Sequence, residues 1–312
     1  MTRELKAFLK ACTDDDGRRL DRILRKALPG HSLSLIHRLL RQGKIRVDGD
    51  PAGPETRVRA GAVIQIAARW EMAETPRHPS EEHPAPLPGI LANGSGIVIF
   101  NKPAGLASHG PDSLDMLVKA HYARRPPSLS FRPGPLHRLD RSTSGAIAFS
   151  ENLAGARLFS ELLRERRVTK TYLAIVEGRV TPGAWRDDLV RDGAAKKTFV
   201  GTAGDARAKT AETTVRVLAC GDRCTLIEAR IATGRTHQIR AQAAARGHPL
   251  AGDLKYGGRA TGDGVFFLHA WKIGFDMDIN GLPRLVCAPP PKPFLAKAIE
   301  VFGRRQLQCI WS

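Results

Sequence analysis

Apolar side chains fall into two helical stripes near the start of the chain. Leu20, Ile23, Leu24 and Leu28 recur at helical spacing, while Arg18, Arg22, Arg25 and Lys26 fall mostly off that stripe. Pro29-Gly30 stops this first predicted helix. A second turns Leu35, Ile36, Leu39 and Leu40 inward and His37, Arg38 and Arg41 outward; Ser32 or Ser34 is placed to cap it, and Gly43 ends it. Residues 44–49 then alternate polar and apolar, as a half-buried strand with a turn should, and residues 62–66 read as a later strand. Residues 71–89 hold five prolines and almost no large apolar side chain, so a semi-extended linker is expected there. Beyond it, strands are expected at 97–100, 145–149, 172–176 and 225–231, with helical stretches near 114–124, 152–167 and 236–246. Strict alternation in 225–231 predicts an antiparallel sheet with one covered face. No βαβ rhythm runs through these segments, so the expected class is α+β rather than a doubly wound sheet. The division read from these patterns is a small domain at 18–70, a linker at 71–89 and a larger domain at 90–312.

Charge sharpens this division. The 312 residues carry 49 Lys and Arg against 31 Asp and Glu, a net of +18, and 42% are hydrophobic, enough for a core. Residues 18–70 alone hold twelve Lys and Arg against four Asp and Glu, so +8 of the excess lies in about a sixth of the length. Such a block points to a polyanionic partner, because each cation that meets a phosphate releases a condensed counterion. No apolar run is long enough to span a membrane, and the first residues lack the apolar stretch of a secretory signal. Five scattered cysteines (Cys12, Cys220, Cys224, Cys287, Cys309) do not form a disulfide framework, so a reducing cytoplasm is expected. Cys220 and Cys224 lack a second ligand pair for zinc, and no phosphate-cradling glycine motif is present. Asp276 and Asp278, expected on a strand, are too few for a metal site. The run Asp14-Asp15-Asp16 reads as a solvated tail.

Four segments of the larger domain are rich in polar groups where a core would want none. They are Asn101-Lys102-Pro103-Ala104-Gly105-Leu106; His137 to Gly145; Lys170-Thr171-Tyr172; and Gly234 to Arg240, continuing into 247–253. Asp140 sits between Arg138 and Arg141 and precedes Ser142, Thr143 and Ser144. A carboxylate so supplied with donors is a candidate nucleophile, general base or electrostatic stabiliser, although a lone loop aspartate is more often a cap. His237 and Arg240 are three apart and share a helix face, so Arg240 is placed to pair with Asp140, to hold a phosphate, or to sit at the surface. Tyr172 lies in an apolar strand, where a tyrosine is commonly a core residue with a satisfied hydroxyl.

Taken together, these segments resemble a known family. His137-Arg138-Leu139-Asp140 with Thr143-Ser144-Gly145 resembles the catalytic signature of the RluA family of pseudouridine synthases. The other three segments follow in that family's order, with Lys255-Tyr256-Gly257 and residues 267–270 fitting as well. The two basic helices and the small β element resemble the alpha-L RNA-binding motif of a small-subunit ribosomal protein and of tyrosyl-tRNA synthetases. The resemblance implies a mixed, mainly antiparallel catalytic sheet around a cleft. It implies that Asp140 is the catalytic aspartate, that Tyr172 contacts the target base and that Arg240 pairs with the aspartate. Arg138 would help extrude the target nucleotide. Arg141, with Arg22, Arg38, Arg41, Lys44 and Arg46 of the small domain, would hold RNA. The pair Ala241-Gln242 departs from the family's usual wording, which bears on local contacts only. Uridine isomerisation is neither a redox reaction nor a group transfer to an acceptor, so no cofactor or metal is expected. The partner implied is structured RNA, most often large-subunit ribosomal RNA, with tRNA the alternative; no membrane is involved and a monomer is expected. The rival classes are a non-catalytic RNA-binding protein and a methyltransferase. The intact Asp140, Tyr172 and Arg240 set speaks against the first, and the missing glycine-rich cofactor loop against the second.

Overall fold

The computed structural model describes residues 7–67, 86–122, 128–202, 205–261 and 265–311. The expected linker lies outside them except for residues 86–89. The chain forms two compact units. The first contains described residues of Met1–Leu87, Met116–Gly134 and Ser150–Arg157; the second contains those of Pro88–Asp115, Pro135–Phe149 and Leu158–Ser312.

In the first unit the elements run β1 (Ala7–Lys10), β2 (Arg18–Arg19), α1 (Leu20–Ala27), α2 (Leu33–Arg41), β3 (Ile45–Val47), β4 (Asp50–Pro51), β5 (Arg57–Val58) and β6 (Val63–Ile66). The two expected helices form as the stripes require. Leu20, Ile23, Leu24, Ile36, Leu39 and Leu40 are buried in one core with Ile45, Val58, Ile64 and Ile66. Ser32 caps α2 by accepting the Leu35 N–H at 3.3 Å. Asp21 in the first turn of α1 and Arg25 and Lys26 in its last complement the helix dipole. The strands join in the order β1-β6-β3-β4, and β1 pairs antiparallel with β6.

The acidic run beside β1 is not a solvated tail. Asp15 is fully buried and accepts hydrogen bonds from Ser128 Oγ (2.8 Å), Leu129 N (3.0 Å), Ser130 N (2.9 Å) and Cys12 N (3.0 Å). Asp14 accepts the Leu153 N–H at 3.0 Å, and Asp16 the Ala60 N–H at 3.0 Å. Burial pushes the Asp15 carboxyl up, but the donors Ser130, Cys12, Ser128 and Leu129 outweigh it and hold it below its usual range. Three adjacent charges look like a solvated stretch in sequence, yet each here meets its own donor, and a buried carboxylate survives only when so satisfied.

The remaining elements are β7 (Ile90–Gly94), β8 (Ile97–Lys102), α3 (Leu114–Tyr122), β9 (Gly134–Pro135), β10 (Ser144–Ser150), α4 (Leu153–Arg164), β11 (Val168–Glu177), β12 (Gly183–Asp192), β13 (Lys197–Val200), β14 (Lys209–Cys220), β15 (Cys224–Ile231), α5 (Gln238–Ala245), β16 (Leu268–Phe275), β17 (Leu285–Cys287) and α6 (Lys292–Trp311, interrupted at Gly303). One large sheet runs β13-β12-β14-β15-β11-β16-β10-β8-β7. Its pairs through β12, β14, β15, β11 and β16 are antiparallel, and β10 with β16 is parallel, so the sheet is mixed and mainly antiparallel as expected. Phe159 and Leu162 of α4 pack with Ile97, Ile99, Ala146, Ala148 and Phe275. Phe294, Ala298 and Phe302 of α6 pack with Leu173, Ile175 and Leu226. Asp276 follows β16 in a bend rather than lying on a strand; it accepts from Arg167, and Asp278 accepts from Arg284.

The middle of this sheet positions the polar segments. Tyr172 on β11 is in register with Ala229 of β15 and Ala270 of β16, and Ala270 in turn with Gly145 of β10. Gly145 has φ +108°, and a Cβ there would lie 2.2 Å from the Ala270 carbonyl oxygen, so only glycine lets β10 and β16 approach. Beside it, Ser144 Oγ lies 2.9 Å from His269 Nδ1, and His269 Nε2 lies 2.9 Å from the Ala288 carbonyl oxygen. The loop carrying Asp140 enters the sheet at this braced point.

Candidate active site

Asp140 lies on the loop that leads into β10, and its conformation is fixed by backbone contacts. Thr143 N–H donates to the Asp140 carbonyl at 3.1 Å, closing a turn. Ser108 Oγ donates to the Leu139 carbonyl (2.8 Å) and accepts the Leu139 N–H (3.0 Å). Gly105 N–H donates to the Arg141 carbonyl at 2.9 Å. Lys102 is fully buried, and its ammonium donates to the carbonyls of Pro103 (2.9 Å), Leu106 (2.7 Å) and Arg141 (3.2 Å). The segment 101–106 is thus the strap that holds the Asp140 loop. Burial pulls the Lys102 ammonium down to about 8, against the attraction of Asp140.

The carboxylate of Asp140 takes its charge partner from far along the chain. Arg240 Nη1 donates to Asp140 Oδ2 at 2.9 Å. His237 Nε2 lies 3.7 Å from Oδ1, which accepts no hydrogen bond among the described residues. Among the described residues, the sequence neighbours Arg138 and Arg141 line the basin with this carboxylate but donate no hydrogen bond to it. Arg138 is exposed, and Arg141 is exposed with Nη1 donating to the Gly105 carbonyl at 3.3 Å. Ser144 serves His269, and Thr143 Oγ1 is buried without a hydrogen-bond partner. Arg240 sits in α5, whose first residue follows His237 in a left-handed conformation (φ 54°) that brings the imidazole back over the site. His237 Nδ1 lies 2.9 Å from the Tyr256 hydroxyl, which accepts the Thr198 N–H at 2.9 Å. Burial lowers the His237 imidazole, opposed by Asp140, so the ring is neutral at pH 7.

Tyr172 is 7% exposed and faces the same cleft. Burial, and then the charge of Asp140, push its phenol well above the usual tyrosine range. The phenol therefore stays protonated in the resting protein. A small cleft of about 60 Å³ is lined by Asp140, Tyr172, Arg240, Arg138, Thr143 and Leu268, among others. It is too small alone for a nucleotide, but it shares Arg138, Asp140, His237 and Arg240 with a basin of about 570 Å³. Arg141, Arg191, Lys196 and Lys255 also line that basin, so one carboxylate lies in a cationic surround. The five remaining basic residues singled out from the sequence, Arg22, Arg38, Arg41, Lys44 and Arg46, are all exposed in the first unit. Gln242, at the departure from the family pattern, is fully buried; its amide accepts from Thr213 Oγ1 (2.7 Å) and donates to Asp187 Oδ2 (2.7 Å). Ser108, Phe266 and the hairpin residues Arg191 and Lys196 were not singled out by the sequence. Ser108 and Phe266 had nearby signals, lying two residues beyond the 101–106 segment and one before the 267–270 segment.

What the arrangement offers is one carboxylate with a free oxygen, a fixed guanidinium behind it and a protonated aromatic phenol beside it. The chain that carries this constellation is similar to known proteins. The family model for RNA pseudouridylate synthase matches residues 96–245, and that for the S4 domain matches residues 18–64. The chain is 31% identical over 299 residues to ribosomal large subunit pseudouridine synthase C of Haemophilus influenzae, covering 88% of each protein. It is 32% identical over 297 residues to the protein of the same name from Escherichia coli strain K12, covering 88% of this chain and 90% of that one. Among solved structures it resembles human RNA pseudouridylate synthase domain containing 4, with 25% identity and a TM-score of 0.54 over 67% of this chain and 91% of that one. The chain belongs to the RluA family of pseudouridine synthases, with an S4 domain ahead of the synthase domain.

Proposed function

We propose that this protein converts specific uridines of large-subunit ribosomal RNA to pseudouridine in the cytoplasm, with Asp140 as the reacting carboxylate. The observation that carries this reading is the Asp140–Arg240 pair in a cleft walled by Tyr172. The names of the two bacterial relatives carry the choice of RNA.

The reaction breaks the bond between the sugar and N1 of the base, turns the base, and joins its C5 to the same sugar carbon. Glycosidases use two carboxylates with opposed roles because one must activate water. No water is consumed here, which suits a site with one carboxylate free to react. Asp140 Oδ1 either attacks the anomeric carbon or removes a sugar proton to give a glycal; both routes use the same oxygen and need the same Arg240. The reaction has no redox step and transfers no group out of the site, so the chemistry asks for no metal or cofactor. Tyr172, held protonated, serves as a ring for the base to lie against and as a hydrogen-bond donor rather than as a resting base. The target uridine must leave its stack, at a cost of a few kcal/mol. Arg138 at the cleft mouth, with Arg141 on the basin wall, offsets that cost by holding backbone phosphates. Residues 18–70, with Arg22, Arg38, Arg41, Lys44 and Arg46 outward, anchor the RNA; residues 71–89 join them to the catalytic residues 90–312; and the chain acts as a monomer.

A pseudouridine map of total RNA from cells with and without the gene tests the substrate. Loss of pseudouridine at discrete large-subunit positions is expected. An unchanged map would contradict the reading, and loss confined to tRNA would move the substrate there.

A further inference from the structure

Arg240 has two carboxylate partners, and the second is the more deeply buried. Its Nε donates to Asp253 Oδ2 at 2.7 Å and its Nη2 to Asp253 Oδ1 at 2.9 Å, leaving Nη1 for Asp140. The Asp253 side chain is 1% exposed. The guanidinium is also held between rings, 4.2 Å from the Phe266 centroid and 4.8 Å from that of Tyr256. Asp253 itself is locked by a tight loop. Its N–H donates to the Leu250 carbonyl (3.0 Å), and its own carbonyl accepts from Tyr256 N (3.0 Å) and Gly258 N (2.9 Å). The preceding Gly252 has φ +86°, and a Cβ there would lie 2.2 Å from the Val265 carbonyl oxygen.

We propose that Asp253 is a positioning residue for the isomerisation, fixing the plane of Arg240 and sharing its charge so that Asp140 keeps a defined rotamer and an uncancelled negative charge. The inference rests on the reading of Asp140 as the reacting group. A single guanidinium between two carboxylates leaves one net negative charge, and the bidentate grip on Asp253 leaves only the monodentate Nη1 contact for Asp140. Arg240 therefore orients the reacting carboxylate without capping both of its oxygens. Without Asp253 the guanidinium keeps its ring contacts but loses the bidentate grip that sets its rotation within their plane, and its whole charge falls on Asp140.

This gives a signature that a structural role alone does not. The charged or titratable groups nearest Asp140 are Arg240 and His237 from the α5 segment, Tyr172 from β11, Lys102 from β8 and Tyr256, with Arg138, Arg141, Arg191, Lys196 and Lys255 around the basin. Those facing Arg240 are Asp140, Asp253 and Tyr256. Removing the Asp253 charge takes a like charge from the neighbourhood of Asp140 and leaves the opposite charge of Arg240 undivided. Both changes favour ionised Asp140 and weaken it as an attacking or proton-accepting group.

The test is Asp253→Asn in the full-length chain, with steady-state kcat and KM on a transcribed RNA substrate across pH and a thermal melt by circular dichroism. The expected result is a folded protein whose kcat falls by about 10- to 100-fold, with KM unchanged and the acid limb of the pH–rate profile moved to lower pH. Wild-type kcat with an unmoved limb would overturn the proposal. If Asp253→Asn does not fold, the same readings are taken on Asp253→Glu, which keeps the charge but displaces it; a lowered kcat at unchanged KM is expected, and normal kcat would overturn the proposal. Asp140→Asn run alongside separates the two readings. Activity in that variant removes the catalytic reading itself, whereas its inactivity beside a normal Asp253→Asn removes only the role of Asp253.

Discussion

Lys102 shows how one buried side chain ties two segments of the site together. Its ammonium is the common donor for the carbonyls of Pro103, Leu106 and Arg141. Lys102→Met leaves the Pro103 and Leu106 carbonyls without this donor, at about 1–3 kcal/mol for each that water does not reach, leaves the Arg141 carbonyl to the Gly105 N–H alone, and loosens the loop that carries Asp140. A misplacement of about 1 Å is worth about 100-fold in rate, so a loss of at least tenfold at pH 7 is expected in single-turnover assays. The pH dependence follows with its sign. The ammonium loses its proton at about 8 rather than near its usual value, and with that proton it loses one of three donors. The wild-type rate should therefore fall above about pH 8, and Lys102→Met should be slow at pH 7 without that alkaline limb. An alkaline limb persisting unchanged in Lys102→Met would assign it to another group. Tyr172 makes the opposite case. Its phenol is pushed up by burial and by Asp140, so it contributes no alkaline limb, and Tyr172→Phe should keep the wild-type profile shape while losing rate. At this scale the candidate site residues were legible, because Asp140, Tyr172 and Arg240 lie in segments rich in polar groups that a core would exclude. The Arg240–Asp140 pair, which spans 100 positions, was expected from the family resemblance; the second grip of Arg240, on Asp253, was not.

Elements brace the site through the rung where β10, β16 and β11 meet. Gly145→Ala puts a methyl against the Ala270 carbonyl in a backbone conformation that L side chains rarely adopt. A cost of about 3 kcal/mol is expected from the clash and the strain, or roughly 6–12 °C in Tm for a unit of this size; a melt within a degree of wild type would show that the sheet yields at this point. His269 bridges β10 to the segment after β17 with both ring nitrogens engaged. Burial lowers it to about 4. Its proton is bound more weakly in the folded chain than in the unfolded one, so nothing is lost above the unfolded value near pH 6.5. As pH falls from there to about 4 the unfolded state is favoured, by about 3 kcal/mol. Denaturant melts between pH 7 and pH 4 should show this loss, and His269→Gln should flatten the slope. Strands with an apolar run or clean alternation, such as β8, β10, β11 and β15, were readable from the sequence. β12 was not, because Gly183–Asp192 exposes most of its charged side chains and shows no clean period. α6 was hidden by the prolines before it and the interruption at Gly303.

For the whole molecule, the buried Asp15 changes what can be removed. Truncation at residue 89 would strip Ser128, Leu129 and Ser130 of their shared partner, so surface substitution is the cleaner probe of the basic module. Replacing exposed Arg22, Arg38 and Arg41 by Gln should weaken RNA binding and make the plot of log K against log salt shallower by about two to three units, if each meets one phosphate. Fluorescence anisotropy across salt concentrations reads this, and an unchanged slope would place the anchor elsewhere. The concentration of charge in residues 18–70 was plain in the sequence. The cationic basin beside Asp140 was not, because Arg191, Lys196 and Lys255 come together only through the hairpin of β12 and β13, where Lys255 Nζ donates to the Ala195 and Lys196 carbonyls at 3.0 and 2.9 Å. The central claim is that Asp140 turns this bound RNA into product. Full-length wild type and Asp140→Asn are incubated with transcribed large-subunit ribosomal RNA, and pseudouridine is mapped at nucleotide resolution. Wild type should modify discrete uridines while Asp140→Asn binds the RNA equally well and modifies none; full modification by Asp140→Asn, or none by wild type, would contradict the account.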